Sequence, residues 1–271
     1  MLRIGLISYT HNDPLLYYFK KKSHDNIKVV RNNPKVLADL LLRGELDIAQ
    51  VSLAKLARHY NLTVVPATAV HCQGPSLSSI VASKSKVKLD SNSIINISSE
   101  TETSSLLLRW ILRRKGIANR MIECEAGNAE SLLARSDYAL LIGDEALKVK
   151  LAGINVIFDI GDEWYRSTKK PCIFAVSAIK KTKIVSPEII EGVHILRQAV
   201  SFANDNIETI SSLASSERRL DAVSLINYFS SLQLDFDQDM ENSIKYELSQ
   251  ILEDGYEVNF LDKRLMDRNS K

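Results

Sequence analysis

His11 is the side chain in this sequence best suited to proton chemistry. An imidazole ordinarily titrates near working pH, and this one lies in the polar stretch Ser8-Tyr9-Thr10-His11-Asn12-Asp13. There it serves either as a general acid or base or as a solvent-facing loop histidine. Five more short segments share that polar character: Ser52, Gly74-Pro75-Ser76-Leu77-Ser78-Ser79, residues 101–105 with Thr103 and Ser104, Gly143-Asp144, and residues 159–168 with Trp164. The set is rich in hydroxyls and poor in arginine and lysine. That composition suits a carboxylate held by hydroxyls, backbone N–H groups and helix dipoles rather than by salt bridges. Each residue also has an ordinary local use. Ser52, Thr101 and Thr103 fit as helix N-caps, Ser78 and Ser79 as loop residues, Asp144 as a cap, and Trp164 as core filling. No histidine–carboxylate spacing resembles a metal site, and there is no phosphate-cradling glycine loop or GxSxG elbow.

The elements that must position these residues follow from two echoing stretches, residues 40–52 and 131–144. Each reads as a helix end, a tight turn, a short buried strand, and a small or polar residue opening the next helix. A helix opening at a strand end presents unpaired N–H groups and the positive end of its dipole. Two such ends facing each other across a cleft would hold an anionic small molecule. Asn33 reads as an N-cap with Pro34 at the first helical position and Gly44 as the stop. Strands are expected over residues 3–7, 27–31, 47–51, 63–66, 67–70, 78–83, 94–97, 121–123, 138–142, 156–160 and 174–178. Helices are expected from Pro14, over 105–115, 128–135 and 145–151, then over 187–204, 207–214, 217–231 and 236–254. The alternation predicts an α/β clamp of two lobes with largely parallel sheets and ligands at the strands' carboxyl ends. Residues 1–83 plus 179–271 would form lobe 1, with the C-terminal helices packed on it, and residues 84–178 lobe 2. The tail from Lys263 should fray.

Composition narrows the classes. The 271 residues are 45% hydrophobic and 25% charged, ordinary for a globular chain with one large core or two modest ones. A formal charge of +2 with only short, scattered basic runs gives no nucleic-acid footprint. No apolar run reaches the length of a membrane span. Cys72, Cys124 and Cys172 contain no CxxC pair, which argues against a disulfide framework or zinc site. The start, Met1-Leu2-Arg3-Ile4-Gly5-Leu6-Ile7, carries no leader pattern, so a cytoplasmic location is expected. The expected partner is an anionic small molecule (a dicarboxylate, on the family resemblance given next), not nucleic acid or membrane; the oligomeric state stays open.

Several blocks in order then resemble a known family. They are Ile7-Ser8-Tyr9 with Pro14-Leu15, Gly44-Glu45-Leu46-Asp47-Ile48-Ala49, Gly74-Pro75-x-x-Ser78, Thr103-Ser104, and Ala139-Leu140-Leu141-Ile142-Gly143-Asp144-Glu145-Ala146-Leu147. Asp159-Ile160-Gly161-Asp162-Glu163-Trp164, Pro171-Cys172-Ile173-Phe174-Ala175-Val176 and the tail around Tyr228-Phe229 and Leu234 complete the set. Over nearly the whole chain these look like chorismate dehydratase of the futalosine route to menaquinone. The resemblance implies a type II periplasmic-binding-protein-like clamp without metal or organic cofactor. The reaction it implies is loss of water from chorismate to give 3-[(1-carboxyvinyl)oxy]benzoate. Aromatisation supplies a downhill pull, so orientation and leaving-group assistance would suffice. Ser78 matches the family's serine at the reacting substrate, and Thr103 and Ser104 match its carboxylate-binding turn. The family usually reads Ser-Tyr-Leu-Asn before the proline-leucine pair. Here that position is His11, with Asn12 one place later, so either residue is a candidate for the polar role. Ser8-x-x-x-Asn12-Asp13 instead resembles the sister dihydroxynaphthoate synthase. A lyase of that kind and a non-catalytic carboxylate-binding protein are the alternatives.

Overall fold

The computed structural model describes residues 1–22, 24–84, 88–118, 120–125, 128–183, 186–253 and 255–262, so the expected frayed tail lies outside the described residues. The chain opens with β1 (Leu2–Ile7), a 3-10 turn (Thr10–Asn12) and α1 (Asp13–Lys21). Next come β2 (Ile27–Asn32), α2 (Pro34–Arg43), β3 (Ile48–Ser52), α3 (Leu53–Ala57) and β4 (Leu62–Cys72). After β5 (Ser79–Ser83) follow β6 (Ile94–Ser98), α4 (Glu102–Arg114), β7 (Arg120–Cys124), α5 (Ala129–Arg135), β8 (Tyr138–Ile142), α6 (Gly143–Leu151), β9 (Asn155–Asp159) and α7 (Ile160–Thr168). Strand β10 (Cys172–Lys180) leads to α8 (Pro187–Asp205), α9 (Ile207–Arg218), α10 (Ala222–Ser231), α11 (Met240–Ile251) and β11 (Asn259–Phe260).

Local chemistry explains many of these boundaries. Asn33 Oδ1 accepts the Val36 N–H at 2.9 Å, Pro34 opens α2, and Gly44 closes it with φ of 78°. The expected single helix over 217–231 is instead two. Arg219 turns left-handed at φ of 56°, and Asp221 caps α10 by accepting the Ser224 N–H at 2.8 Å. Residues 160–168, for which the sequence predicts no helix and whose first residue it places in a strand, form α7, whose inner face is Ile160, Gly161 and Trp164.

The strands form two sheets, ordered β11-β4-β10-β3-β1-β2 and β7-β6-β8-β5-β9. They are mixed rather than largely parallel. β10 runs antiparallel to β3 and β4, and β5 antiparallel to β8 and β9. Parallel neighbours need a crossover connection. β5 arrives from β4 of the other sheet by a short loop, β10 from β9 through α7, and both enter reversed. Helix α8 packs on β1 and β4 and α1 packs on α8, covering the first sheet, whereas α11 touches β10, α3 and α4. Among the described residues no helix is long and apolar enough to cross a membrane.

Trp164 is fully buried. Its ring lies 4.7 Å from that of Trp110, and its Nε1–H donates to the Pro171 carbonyl at 3.0 Å. It therefore fills the interior between α4 and α7 and does not wall a ligand pocket, correcting the sequence expectation. Trp164→Ala should lower the unfolding free energy by about 3–5 kcal/mol, read as a shifted urea midpoint. A shift near zero would contradict this packing.

Candidate active site

Between the two sheets lies a narrow hollow of about 70 Å³, below the roughly 300–1,000 Å³ typical of small-molecule sites. His11, Ser52, Ser78, Ser79, Glu100, Thr101, Thr103 and Ser104 supply its polar wall, and Ile7, Val70, Ile142, Phe174 and Leu232 part of its apolar wall. Among the described residues no lysine or arginine lines it.

The loop carrying Ser78 is built around one carboxylate. Asp159, the N-cap of α7, accepts N–H groups from Gly161 at 3.1 Å and Asp162 at 3.3 Å. It also accepts the Ser76 N–H at 2.8 Å, the Ser76 hydroxyl at 3.1 Å and the Leu77 N–H at 2.9 Å. Burial raises the Asp159 pKa even though these donors act to lower it. Leu77 is thereby held at φ of 61°, a left-handed conformation that costs a side-chain-bearing residue roughly 1–2 kcal/mol. The carbonyl of the next residue, Ser78, accepts the Gly143 N–H at 2.8 Å. Ser79 Oγ donates to Ser104 Oγ at 2.9 Å. Gly143 lines the hollow as a site residue should, but its own N–H is taken by the Ser78 carbonyl. Gly143 itself, at φ of 59°, lies under the Tyr9 ring, where an added Cβ would be 2.8 Å from the ring carbons.

The walls are pinned to each other across the hollow. Thr103 Oγ1 accepts the Ala54 N–H at 3.1 Å, and Ser52 Oγ donates to Glu102 at 3.3 Å while capping α3. The Tyr9 hydroxyl donates to Glu100 at 2.8 Å, and Asn33 donates to the same carboxylate at 3.0 Å. Burial first, then Glu100, pushes the Tyr9 phenol pKa up, so it stays a donor. The N-terminus of α4 and that of α3 consequently face each other at the hydroxyl-lined wall.

The remaining expectations sort by geometry. Asp144 does not line the hollow. It accepts the Thr10 N–H at 2.7 Å and an Arg218 N–H at 3.1 Å, while Arg218 also pairs with Asp13 at 2.6 Å. Its work is to hold the His11 turn. Ser8 also lies off the hollow, its N–H donated to the Asn32 carbonyl at 3.0 Å. Asn12 is fully buried and turned inward, donating to the Ile7 carbonyl at 2.9 Å and to Gln50 Oε1 at 2.6 Å. A 3-10 turn rotates roughly 120° per residue, so with Asn12 facing Gln50, His11 faces the hollow. Glu100 and Asp159 escaped the sequence reading. Asp159 had a usable signal: an aspartate three residues before Asp162 at the start of α7.

His11 is 5% exposed, and its Nε2 has no hydrogen-bond partner. Desolvation lowers its pKa to about 4; Arg218 adds to the effect and Asp144 opposes it. The folded protein therefore holds it neutral. Because the unfolded histidine takes a proton near 6.5, stability is full above that pH and falls as pH drops from 6.5 through 4. Between pH 7 and pH 4.5 the wild type should lose about 2–3 kcal/mol more of its unfolding free energy than His11→Gln does, read by urea titration. Equal losses in both proteins would contradict a buried neutral imidazole. At Gly161 an added Cβ would sit 2.3 Å from Cys72 Sγ and 2.7 Å from the Gly74 carbonyl oxygen. Gly161→Ala should therefore destabilise by about 1–3 kcal/mol and shift the Ser78 loop, measurable by urea titration and crystallography.

Two mixed α/β sheets enclosing a polar hollow at their strand ends define a periplasmic-binding-protein-like fold. Protein AF1704 from Archaeoglobus fulgidus superposes with a TM-score of 0.74 at 18% identity, covering 92% of this chain and 96% of that one. The alkanesulfonate-binding protein SsuA from Xanthomonas axonopodis pv. citri, bound to MOPS, gives 0.66 at 16% identity, covering 92% and 90%. The ligand-binding component of an ABC-type import system from Staphylococcus aureus gives 0.69 at 13% identity, covering 99% and 98%. These likenesses establish the architecture alone. A family model described as menaquinone biosynthesis matches residues 2–251, and the chain belongs to that family.

Proposed function

We propose that this protein removes water from chorismate to give 3-[(1-carboxyvinyl)oxy]benzoate. Family membership in menaquinone biosynthesis supports this reading, as do the dehydratase-like blocks spread along the sequence. One observation carries it: Ser78, Ser79, Thr103 and Ser104, contributed by two separate segments, line one hollow beside the unpartnered His11 imidazole. Thr103 and Ser104 at the α4 N-terminus would seat a substrate carboxylate, where hydroxyls and the helix dipole favour negative charge. The ring hydroxyl would lie between Ser78 and His11. The neutral His11 imidazole would take the adjacent ring hydrogen as a proton while the C–O bond breaks and its electron pair departs with the hydroxyl, and the same proton, returned to that oxygen, would complete the water. Donors at that oxygen stabilise the charge developing there. The apolar wall would exclude water from the newly aromatic ring.

Incubating the protein with chorismate should yield the substituted benzoate, identified by chromatography and mass. Ser78→Ala should lower kcat by about 10²–10³-fold, the range seen when a single positioned donor is removed from a developing oxyanion. Thr103→Val should act mainly on KM. Chorismate that binds and is recovered intact would reject dehydration in favour of a binding protein.

A further inference from the structure

At about 70 Å³ the hollow is too small for a ring bearing two acid groups, so such a guest must borrow room beside it. Two further cavities adjoin it. One, of about 350 Å³, shares Pro34, Ser52, Glu100 and Thr101 with the hollow; the other, of about 340 Å³, shares Tyr9, Glu100 and Ile142. Among the described residues Glu100 alone borders all three spaces. Both of its carboxylate oxygens are held from the facing side. Oε2 accepts the Tyr9 hydroxyl at 2.8 Å, and Oε1 accepts an Asn33 N–H at 3.0 Å. Glu100 follows β6 of one sheet, whereas Tyr9 follows β1 and Asn33 follows β2 of the other, so these bonds shut the hollow between the sheets.

The adjoining cavities differ in charge. Besides Glu100, the 350 Å³ cavity carries Lys35, Lys55, Arg58 and Arg109 against Glu102 and Glu123. Arg58 pairs with Glu102 and Lys55 with Asp39, which leaves the exposed Lys35 and Arg109 without an ion pair among the described residues. In the other cavity Lys148 is paired with Glu145, and Asp144 with Arg218. A carboxylate released from Tyr9 and Asn33 therefore meets unpaired cations only in the first cavity. On the reading above of the hollow as the seat of a ring dicarboxylate, we propose that Glu100 is a displaceable plug: an entering anion drives its side chain off Tyr9 and Asn33 toward Lys35 and Arg109, joining the hollow to the 350 Å³ cavity. The joined space falls within the range of small-molecule sites. Repulsion between the guest and Glu100 thus opens the room that the guest then fills.

Isophthalate, a ring dicarboxylate that cannot be dehydrated, tests the plug by calorimetric titration. Tyr9→Phe removes one restraining bond and keeps the charge, so isophthalate should bind about tenfold more tightly. Lys35→Gln combined with Arg109→Gln should weaken it about fivefold, because the displaced carboxylate loses its partners. In a Glu100→Ala background both effects should shrink to within about twofold. The same order should appear in KM for chorismate. Unchanged affinity in Tyr9→Phe would overturn the plug, since a fixed wall charge gains nothing from that change. So would a loss from the Lys35 and Arg109 changes that persists without Glu100, or a crystal structure of the isophthalate complex with Glu100 still on Tyr9 and Asn33. A protein that follows this pattern with isophthalate yet leaves chorismate intact would reject dehydration and leave the plug standing.

Discussion

Asp159 stands where β9 hands over to α7, and its carboxylate gathers N–H groups from that helix and from the loop leading to Ser78. A bend with a left-handed leucine would otherwise leave backbone donors buried and unmatched, at a cost of about 1–3 kcal/mol each. Charge-assisted bonds to an anion offset both that cost and the strain at Leu77. The arrangement is tight enough that Gly161 has no room for a methyl group against Cys72 and Gly74. Because burial raises the Asp159 pKa, the grip loosens on acidification sooner than an exposed aspartate would allow.

From that anchor the site extends through single bonds to distant segments. The Ser78 carbonyl accepts the Gly143 N–H at the start of α6, and the Ser79 hydroxyl donates to Ser104 Oγ at the start of α4. Thr103, the neighbour of Ser104, receives Ala54 from α3. Each link ends at a helix start, so the polar groups are placed by the fold rather than by loop packing. Asp144, Arg218 and Asp13 do the corresponding work for the His11 turn.

Local signals in the sequence carried much of this architecture. Asn33-Pro34 and Gly44 bound α2 as their chemistry demands, Ser52 caps α3, and the apolar run Tyr138–Ile142 is a buried strand. Signals that depend on remote partners did not carry over. Asn12 turns away from the hollow because Gln50, 38 residues later, matches its amide. Asp144 turns to Arg218, 74 residues away. Glycine and acidic residues hid the helical periodicity of α7 that buries Trp164. The reversed entry of β5 and β10 depends on which sheet each strand joins, and periodicity is silent on that. The hydroxyl set did emerge, since serine and threonine before helical patterns are both caps and ligand donors.

Glu100 gives the hollow a property beyond shape. It is the one carboxylate among the described lining residues, tied in place by Tyr9 and Asn33, and no mobile cation stands beside it in that lining. Peptide dipoles and alcohols can balance a limited amount of negative charge before the fixed carboxylate begins to repel what enters. On the proposed reading, the lining sets a limit on a guest's charge as well as on its outline, and each further anionic group on the guest would add to the repulsion without any residue dedicated to refusing it.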